Sequence, residues 1–231
     1  MKVAVFSFSG TYGEQGFREF VLEQPDGVEW VDCEGIEGTH CYCDSDAAQL
    51  LRKTMEGELP AIRWIDSGDY HYMSHLLASR QDEPFHLVLL DHHPDNQDPA
   101  FEGVLSCGSW VKAMREENPM VRDILTIGPE GCPDAIPAGW LEGRRGERVY
   151  VSLDKDILSR DYARTDWTQG MHTSAQVKGM LEQLAGSMQL VALDICGEIS
   201  SSQGASPEDL RINKDTNIDL YKFITNYLKK N

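Results

Sequence analysis

The segment LVLLDHHPDNQ, residues 87–97, brings the sequence's most reactive side chains together, because four apolar residues lead directly into acids and histidines. With the alternation of a strand, Asp91, His93 and Asp95 lie on one side and His92 faces elsewhere. Such groups are costly to bury together unless a cation binds between them. The segment therefore predicts part of a metal site.

A second acidic pair follows another apolar run, in VYVSLDKD. A period of two places Asp154 and Asp156 on one side and Lys155 on the other. Upstream, IDSGDYHYMSH offers His71 or His75 as a further ligand. A single Asp-x-Asp is typical of a turn or a cap. Clusters at three strand ends, however, favour a functional site.

The candidate ligands are four carboxylates and two imidazoles, enough for two divalent ions that share carboxylates. Four negative charges balance two such ions, and the pair can ionise a bridging water, the nucleophile of two-metal hydrolases. Ligation by carboxylates without thiolates favours manganese over zinc. We therefore expect two Mn2+ ions per chain as the cofactor.

Each of these clusters follows an apolar run of strand length. Seven such runs occur, at residues 3–8, 28–33, 61–66, 86–91, 124–128, 149–154 and 190–195. They are continuous rather than alternating, which is typical of parallel strands covered on both faces. The carboxyl ends of parallel strands share one edge of the sheet, so the clusters should meet there.

Helical patterns lie between the runs: SDAAQLLRKTM with Ser45 as N-cap, YMSHLLASR, SWVKAMREE after Ser109, TSAQVKGMLEQLAG after Thr173, and DLYKFITNYLKK. Strand and helix alternate, so the predicted fold class is α/β, with a mostly parallel sheet. The polar segment 196–217 is expected to be a surface loop. No linker or repeat interrupts the pattern, and residues 1–231 are predicted to form one domain.

The composition restricts the partners. A net charge of −17 over 231 residues repels nucleic acid and attracts cations. The start, MKVAVFSFSG, is too short for a signal peptide, and no run reaches the roughly 18 apolar residues of a membrane span. We expect a cytoplasmic protein that binds a small cationic molecule and contacts neither nucleic acid nor membrane.

The six cysteines are expected to be reduced thiols, since the chain shows no secretory signal. The segment CEGIEGTHCYC could bind zinc through Cys33, His40, Cys41 and Cys43. Its spacing does not match the paired C-x2-C pattern of structural zinc sites, so this site is the less favoured interpretation.

Taken in order, the clusters resemble the ureohydrolase family, which comprises arginase, agmatinase and formiminoglutamase. The family pattern is Gly-Gly-Asp-His, Asp-Ala-His-x-Asp, Ser-x-Asp-x-Asp, a Gly-Thr-Pro-x-x-Gly-Gly loop, and a strand with a substrate-facing glutamate. Here the matching segments are DSGDYH, DHHPD, SLDKD, TDWTQGMHT and LDICGE, over roughly residues 61–200. The resemblance implies a three-layer α/β/α fold of the arginase type.

The resemblance also implies roles for individual residues. One metal would be held by His71, Asp91, Asp95 and Asp154, and the other by His93, Asp91, Asp154 and Asp156. Glu198 would receive the guanidinium or amidine group of the substrate, with Asp194 as the alternative. Asp95 would accept a hydrogen bond from the nucleophile, and Asp156 would stabilise the tetrahedral intermediate. Family members commonly form homo-oligomers, so one is possible here.

The sequence departs from the family pattern at several points. Tyr70 separates the aspartate from His71, Lys155 replaces an apolar residue on a buried strand, and Gly197 is an extra residue before the glutamate. The family's His-Gly motif has no match. His92 or His172 would then be the proton relay, or no relay would be needed.

Three functions remain open. The first is a binuclear hydrolase that cleaves a C–N bond of a linear amidine or guanidino compound by attack of a metal-bridging hydroxide. The second is a phosphoesterase of the DHH type, because His40, Asp44 and Asp46 form the matching upstream motif. The third is an arginase-fold protein that binds a ligand without turnover.

Overall fold

A computed structural model of the chain describes residues 2–101 and 103–228. Its strands are β1 (Val3–Ser7), β2 (Val28–Asp32), β3 (Tyr42–Cys43), β4 (Ile62–Trp64), β5 (Phe85–Leu90), β6 (Leu105–Ser106), β7 (Val121–Ile127), β8 (Arg148–Asp154) and β9 (Gln189–Cys196). Seven of these strands form a parallel sheet in the order β2-β1-β4-β9-β8-β5-β7. They are the seven apolar runs of the sequence, so the predicted parallel sheet is confirmed. Strands β3 and β6 form a separate antiparallel ribbon.

Helices cover both faces of the sheet. They are α1 (Thr11–Glu14), α2 (Phe17–Leu22), α3 (Ser45–Thr54), α4 (Met73–Ala78), α5 (Trp110–Glu117), α6 (Ala138–Glu142), α7 (Ser174–Ser187) and α8 (Pro207–Leu228), with 3-10 turns at Gly68–Tyr70, Lys155–Ile157 and Ser201–Gln203. Alternate strand residues face opposite layers: Val5 packs with α2, α7 and α8, whereas Phe6 packs with α3, α4 and α5. The predicted three-layer α/β/α architecture is therefore confirmed.

The start of α3 differs from its prediction. Asp44, rather than Ser45, is the N-cap, and its carboxylate accepts a hydrogen bond of 2.8 Å from the Ala47 N–H. Thr173 caps α7 as expected, in a reciprocal capping box with Gln176. Both residues adopt the extended backbone that an N-cap requires.

The prediction of a loop up to residue 217 is wrong, because α8 already begins at Pro207. Ser206 Oγ accepts a hydrogen bond from the Asp209 N–H at 3.2 Å and so caps the helix. The buried stripe of its first half is polar and includes Asn213 and Asn217, which hides the apolar period on which a sequence prediction depends. The last residues of the predicted terminal helix, 229 and 230, lie outside the described residues.

The order of the sheet decides which clusters meet. Strands β4, β9, β8 and β5 are neighbours and run parallel, so the segments after them leave the sheet at one edge. Three of these segments contain the predicted metal ligands. Among the described residues, no helix combines the length and the apolar character needed to cross a membrane.

Candidate metal centre

The ends of β5 and β8 place the carboxylates of the centre. Asp91 directly follows β5, and Asp154 is the last residue of β8. The Asp154 carboxylate accepts the Asp156 N–H at 2.9 Å, which starts the 3-10 turn and turns the second aspartate toward β5. There, Asp156 Oδ1 accepts the backbone N–H of His92 at 2.9 Å. A short local turn thus fixes two carboxylates beside a third.

The imidazole of His71 faces three of the four predicted carboxylate ligands. His71 Nδ1 lies 3.0 Å from Asp95 Oδ2, 3.2 Å from Asp91 Oδ2 and 3.5 Å from Asp154 Oδ2. Its other nitrogen, Nε2, is hydrogen-bonded to the Ser152 hydroxyl at 2.8 Å. A hydroxyl that holds one ring nitrogen leaves the other free to bind a metal.

The second imidazole has the same arrangement. His93 Nδ1 lies 2.7 Å from Asp156 Oδ2 and 3.7 Å from Asp91 Oδ1, while its Nε2 is 2.8 Å from the Thr168 hydroxyl. Asp91 therefore offers one oxygen to each imidazole group, which suits a bridging ligand. Two groups of possible ligands share Asp91, and a third group joins His71 to Asp154 and the Cys196 thiol.

All six predicted metal ligands thus lie in one cluster, whereas the alternative ligand His75 does not. The His75 ring lies 3.5 Å from Glu117, and burial lowers its pKa to about 4. Tyr70 stacks on Phe8 with ring centroids 4.2 Å apart and so lies in the core. The 3-10 turn Gly68–Tyr70 absorbs the extra residue and brings His71 to the carboxylates.

The charge of the cluster is unbalanced. Burial, together with the Asp91 charge, raises the pKa of Asp95 to about 7. Burial and the neighbouring carboxylates also raise the pKa of Asp156 well above its ordinary value. Hydrogen bonds to Asp156 and Asp91 raise the pKa of His93 to about 10. These shifts are the response of a buried site with excess negative charge.

The donor set fits divalent metal ions. Asp91 Oδ2 is buried and receives no well-formed hydrogen bond within the described residues. No salt bridge there joins a lysine or arginine to the four carboxylates of the cluster, Asp91, Asp95, Asp154 and Asp156. A cation would satisfy both the unpaired oxygen and the excess charge.

The backbone approaches this centre closely at Gly197. The residue has φ +91°, and a Cβ there would lie 2.4 Å from Asp154 Oδ1. A side chain would therefore displace a metal-facing carboxylate. The extra residue of the LDICGE segment is thus a glycine for a steric reason.

The cluster forms the floor of a pocket of about 260 Å3. Beyond the predicted ligands, its lining consists of uncharged residues: Cys41, Tyr42, Gly68, Gln97, Ser106, Cys107, Gly108 and Trp167. The space accommodates a small molecule beside the ligand cluster. Among the described residues, no charged group lines the wall above the floor.

The residues predicted to bind substrate do not line this pocket. Glu198 is fully buried, forms an ion pair with Lys155, and accepts hydrogen bonds from Asn217 Nδ2 at 2.7 Å and Gln15 Nε2 at 3.2 Å. Glu198 is held there because the buried ammonium group of Lys155 points away from the candidate metal ligands and requires a counter-ion. A role for Glu198 in substrate binding stays a prediction that would require this network to open.

Asp194 and His172 are also held elsewhere. Asp194 Oδ1 pairs with Arg63 Nε at 2.7 Å, and the Tyr150 hydroxyl donates to its other oxygen. His172 Nε2 lies 2.8 Å from the carbonyl oxygen of Asp134, outside the pocket lining. His92 is half-buried beside His93, with ring centroids 5.2 Å apart. The structure thus does not bring Asp194 or the predicted relay His172 to the candidate metal ligands.

Several supporting residues were not predicted. Trp110 Nε1 donates to Asp95 Oδ2 at 2.7 Å, and the Cys196 thiol lies 3.2 Å from Asp154 Oδ2. Trp110 belongs to no matched segment. Cys196, Ser152 and Thr168 lie within the segments LDICGE, SLDKD and TDWTQGMHT, which could have indicated a supporting role.

The upstream motif of the phosphoesterase hypothesis is not assembled. Asp44 caps α3, and Asp46 lies in the first turn of that helix. His40 contacts Asp69 at 3.2 Å rather than the DHH segment. The residues of the two motifs therefore form separate groups.

Comparisons with known proteins agree with this architecture. No family model matches the chain. An uncharacterized protein of Thermotoga maritima is 22% identical over 204 residues, which cover 85% of this chain and 79% of that protein.

Solved structures of similar fold cover nearly all of the chain. The agmatine ureohydrolase of Thermoplasma volcanium matches with a TM-score of 0.63 at 14% identity, over 99% of this chain and 91% of its own. Formimidoylglutamase from Bacillus subtilis matches with a TM-score of 0.63 at 10% identity, over 97% of this chain and 86% of its own. The arginase from Medicago truncatula matches with a TM-score of 0.60 at 15% identity, over 94% of this chain and 84% of its own. The chain therefore has, in divergent form, the α/β/α fold that these ureohydrolases share.

Proposed function

We propose that the protein is a binuclear metal-dependent hydrolase that cleaves a C–N bond of a linear amidine or guanidino compound. One observation carries this proposal: His71 and His93 both direct Nδ1 to carboxylates that share Asp91, while a hydroxyl holds each Nε2. Carboxylate-rich ligation favours Mn2+. The fold of the similar ureohydrolases supports the same reaction class.

Two bound metal ions would supply an activated water and would polarise the planar carbon of the substrate. Asp95, held at Oδ2 by Trp110 Nε1, accepts a hydrogen bond from the attacking water. As the water oxygen bonds to the carbon, one proton of that water would pass to Asp95 and from there to the nitrogen that leaves. Asp156, in contact with His93 at 2.7 Å, stabilises the amino groups of the tetrahedral intermediate.

The pocket also limits the substrate. The described residues of its wall are uncharged, and two metal ions would balance the carboxylates of the floor, so attraction for a cationic amidine comes from the net charge of −17. A volume of about 260 Å3 restricts the substrate to a small molecule. We therefore propose a compact, cationic substrate.

Metal content and product release test the proposal together. After Mn2+ reconstitution, the wild type should hold about two manganese ions per chain. Asp154→Asn should lose most of them, because it removes a carboxylate ligand that lies against His71, another predicted ligand. The matched control is Asp98→Asn on the surface, which should keep both metals. Hydrolysis of guanidino and formimino compounds should fall at least about a hundredfold in Asp154→Asn. Unchanged metal content and activity in that variant would overturn the proposal.

A second candidate is a metal-containing binding protein without turnover. The neutralisation of Glu198 by Lys155 favours it, since the predicted substrate carboxylate is occupied. Calorimetry on the Mn2+-loaded protein separates the two functions. Saturable binding of a guanidino compound without release of urea, ammonia or formamide would support the binding protein.

A further inference from the structure

A second group of potential ligands lies beside the pocket and is chemically unlike the first. Cys41 Sγ is 3.0 Å from Asp69 Oδ1, and His40 Nε2 is 3.2 Å from Asp69 Oδ2. The three ligand atoms lie within 4.8 Å of one another. Ligand atoms around a tetrahedral zinc ion lie roughly 3–4 Å apart, so small side-chain rotations would suffice to close the group.

Cys107 directly follows β6, across the ribbon from Cys41, and is the candidate for a fourth ligand. In the antiparallel ribbon Tyr42 pairs with Ser106, so Cys41 and Cys107 are the next opposed pair. The Cys107 N–H donates to the Cys41 carbonyl at 3.0 Å, and both residues line the same pocket. The Cys107 thiol lies outside the group of three ligand atoms that are within 4.8 Å of one another, so its side chain has to turn toward them for a metal to bind.

The backbone at this point departs from a regular strand. Cys41 has φ +57°, a left-handed conformation that few non-glycine residues adopt. It carries the thiol to the buried carboxylate of Asp69, which lies in the 3-10 turn directly before His71. The group therefore joins the ribbon to the turn that positions a predicted ligand of the main centre.

We propose that His40, Cys41, Asp69 and Cys107 bind one thiophilic divalent cation, of the Zn2+ class, at the wall of the pocket. Two sulfur atoms, one nitrogen and one oxygen form a tetrahedral donor set that zinc accepts and manganese does not favour. Binding replaces the protons of the two thiols and involves no redox step. The site is independent of the proposed hydrolase activity.

This ligand set differs from the one that the sequence suggested. Cys33 and Cys43 belong to the hydrophobic core, so they cannot join His40 and Cys41 around one ion. Asp69 and Cys107, which come from other segments of the chain, replace Cys33 and Cys43 in the ligand set. Asp69 also accepts hydrogen bonds from Trp167 Nε1 at 3.2 Å and Gln203 Nε2 at 3.0 Å, which fix its orientation.

Cobalt provides a probe that separates the two centres. The full-length protein is reduced, loaded with Mn2+ and titrated with Co2+, and the near-ultraviolet thiolate-to-cobalt charge-transfer band is recorded. We expect this band at one equivalent of Co2+ per chain. Cys41→Ser and Cys107→Ser should each weaken the binding that produces it at least about tenfold. The matched control is Cys132→Ser, a partly exposed thiol outside the cluster, and it should keep the band.

Two results would overturn the site. One is the absence of a thiolate band in the reduced wild type. The other is a band that survives in both Cys41→Ser and Cys107→Ser but disappears in Cys196→Ala, because the sulfur ligand would then belong to the main centre beside Asp154. Circular dichroism of each variant verifies folding, and the two serine variants are independent tests.

Discussion

On one side of the turn Lys155–Ile157, four carboxylates and two imidazoles meet without a lysine or arginine among their described salt-bridge partners. On the other side, Lys155 and Glu198 form a pair, and Asn217 and Gln15 complete its hydrogen bonds. Both groups are buried and both are charged. The first is unbalanced and opens into a pocket, whereas the second is balanced and closed.

Charge balance therefore distinguishes structural charges from functional ones in this protein. A buried pair with all its hydrogen bonds satisfied contributes to folding without any ligand. A buried excess of one sign is unfavourable for folding and indicates that a counter-ion binds. The Arg63–Asp194 pair, at 2.7 Å, belongs with the balanced group.

Removal of a charge should therefore have opposite effects in the two regions, and the largest effect is expected on the balanced side. Lys155→Met leaves Glu198 buried without its cation and should lower the free energy of unfolding by about 3–5 kcal/mol in urea titrations. The double variant Lys155→Met/Glu198→Gln should recover most of this loss. A single variant as stable as the wild type would show that Glu198 is not a buried anion.

The control for this prediction is Lys112→Met. Lys112 pairs with Asp98 on the surface, where solvent screens the charges, so the urea midpoint should stay unchanged. An equal loss in both variants would mean that the charge itself, rather than its burial, matters.

On the unbalanced side, removal of a charge should stabilise the metal-free protein. Asp156 lies against Asp154 and Asp91, and its pKa is raised by burial and by these neighbours. Asp156→Asn should therefore raise the free energy of unfolding of the metal-free protein by about 1–2 kcal/mol at pH 8. With Mn2+ present the order should reverse, because the variant has lost a ligand. Destabilisation of the metal-free variant would contradict the unbalanced charge.

The smallest effect concerns pH. The pKa of Asp95 is about 7 in the folded protein and 3.8 in the reference state, so the folded protein binds the proton more tightly. Its contribution to stability is full below about pH 4 and is lost as the pH rises through 7. Between pH 6 and 8 the metal-free wild type should lose about 1 kcal/mol relative to Asp95→Asn. Thermal unfolding of both proteins at the two pH values measures this difference.

Much of the fold could be predicted from the sequence, because its signals are local. Seven continuous apolar runs predicted the seven strands, and Thr173 marked the start of α7. The first half of α8 was missed because its buried stripe contains Asn213 and Asn217, whose hydrogen bonds replace apolar contacts. Such compensation depends on partners that are distant in sequence.

Five of the six candidate metal ligands could also be selected from local spacing. The adjacency of acids and histidines indicated Asp91, His93, Asp95, Asp154 and Asp156. The predicted strand alternation was wrong, because β5 ends at Leu90 and a 3-10 turn spans Lys155–Ile157. The choice of His71 over Tyr70 became physically clear only in the structure, where the tyrosine stacks on Phe8.

The parallel sheet and the chemical character of the cluster at its carboxyl edge could be predicted from the sequence, since both follow from residue types at short spacings. The pairing of Glu198 with Lys155 and the position of Cys107 opposite Cys41 are visible only in the folded chain. These contacts join residues 43 and 66 positions apart, and the order of the strands, rather than any local pattern, brings such residues together.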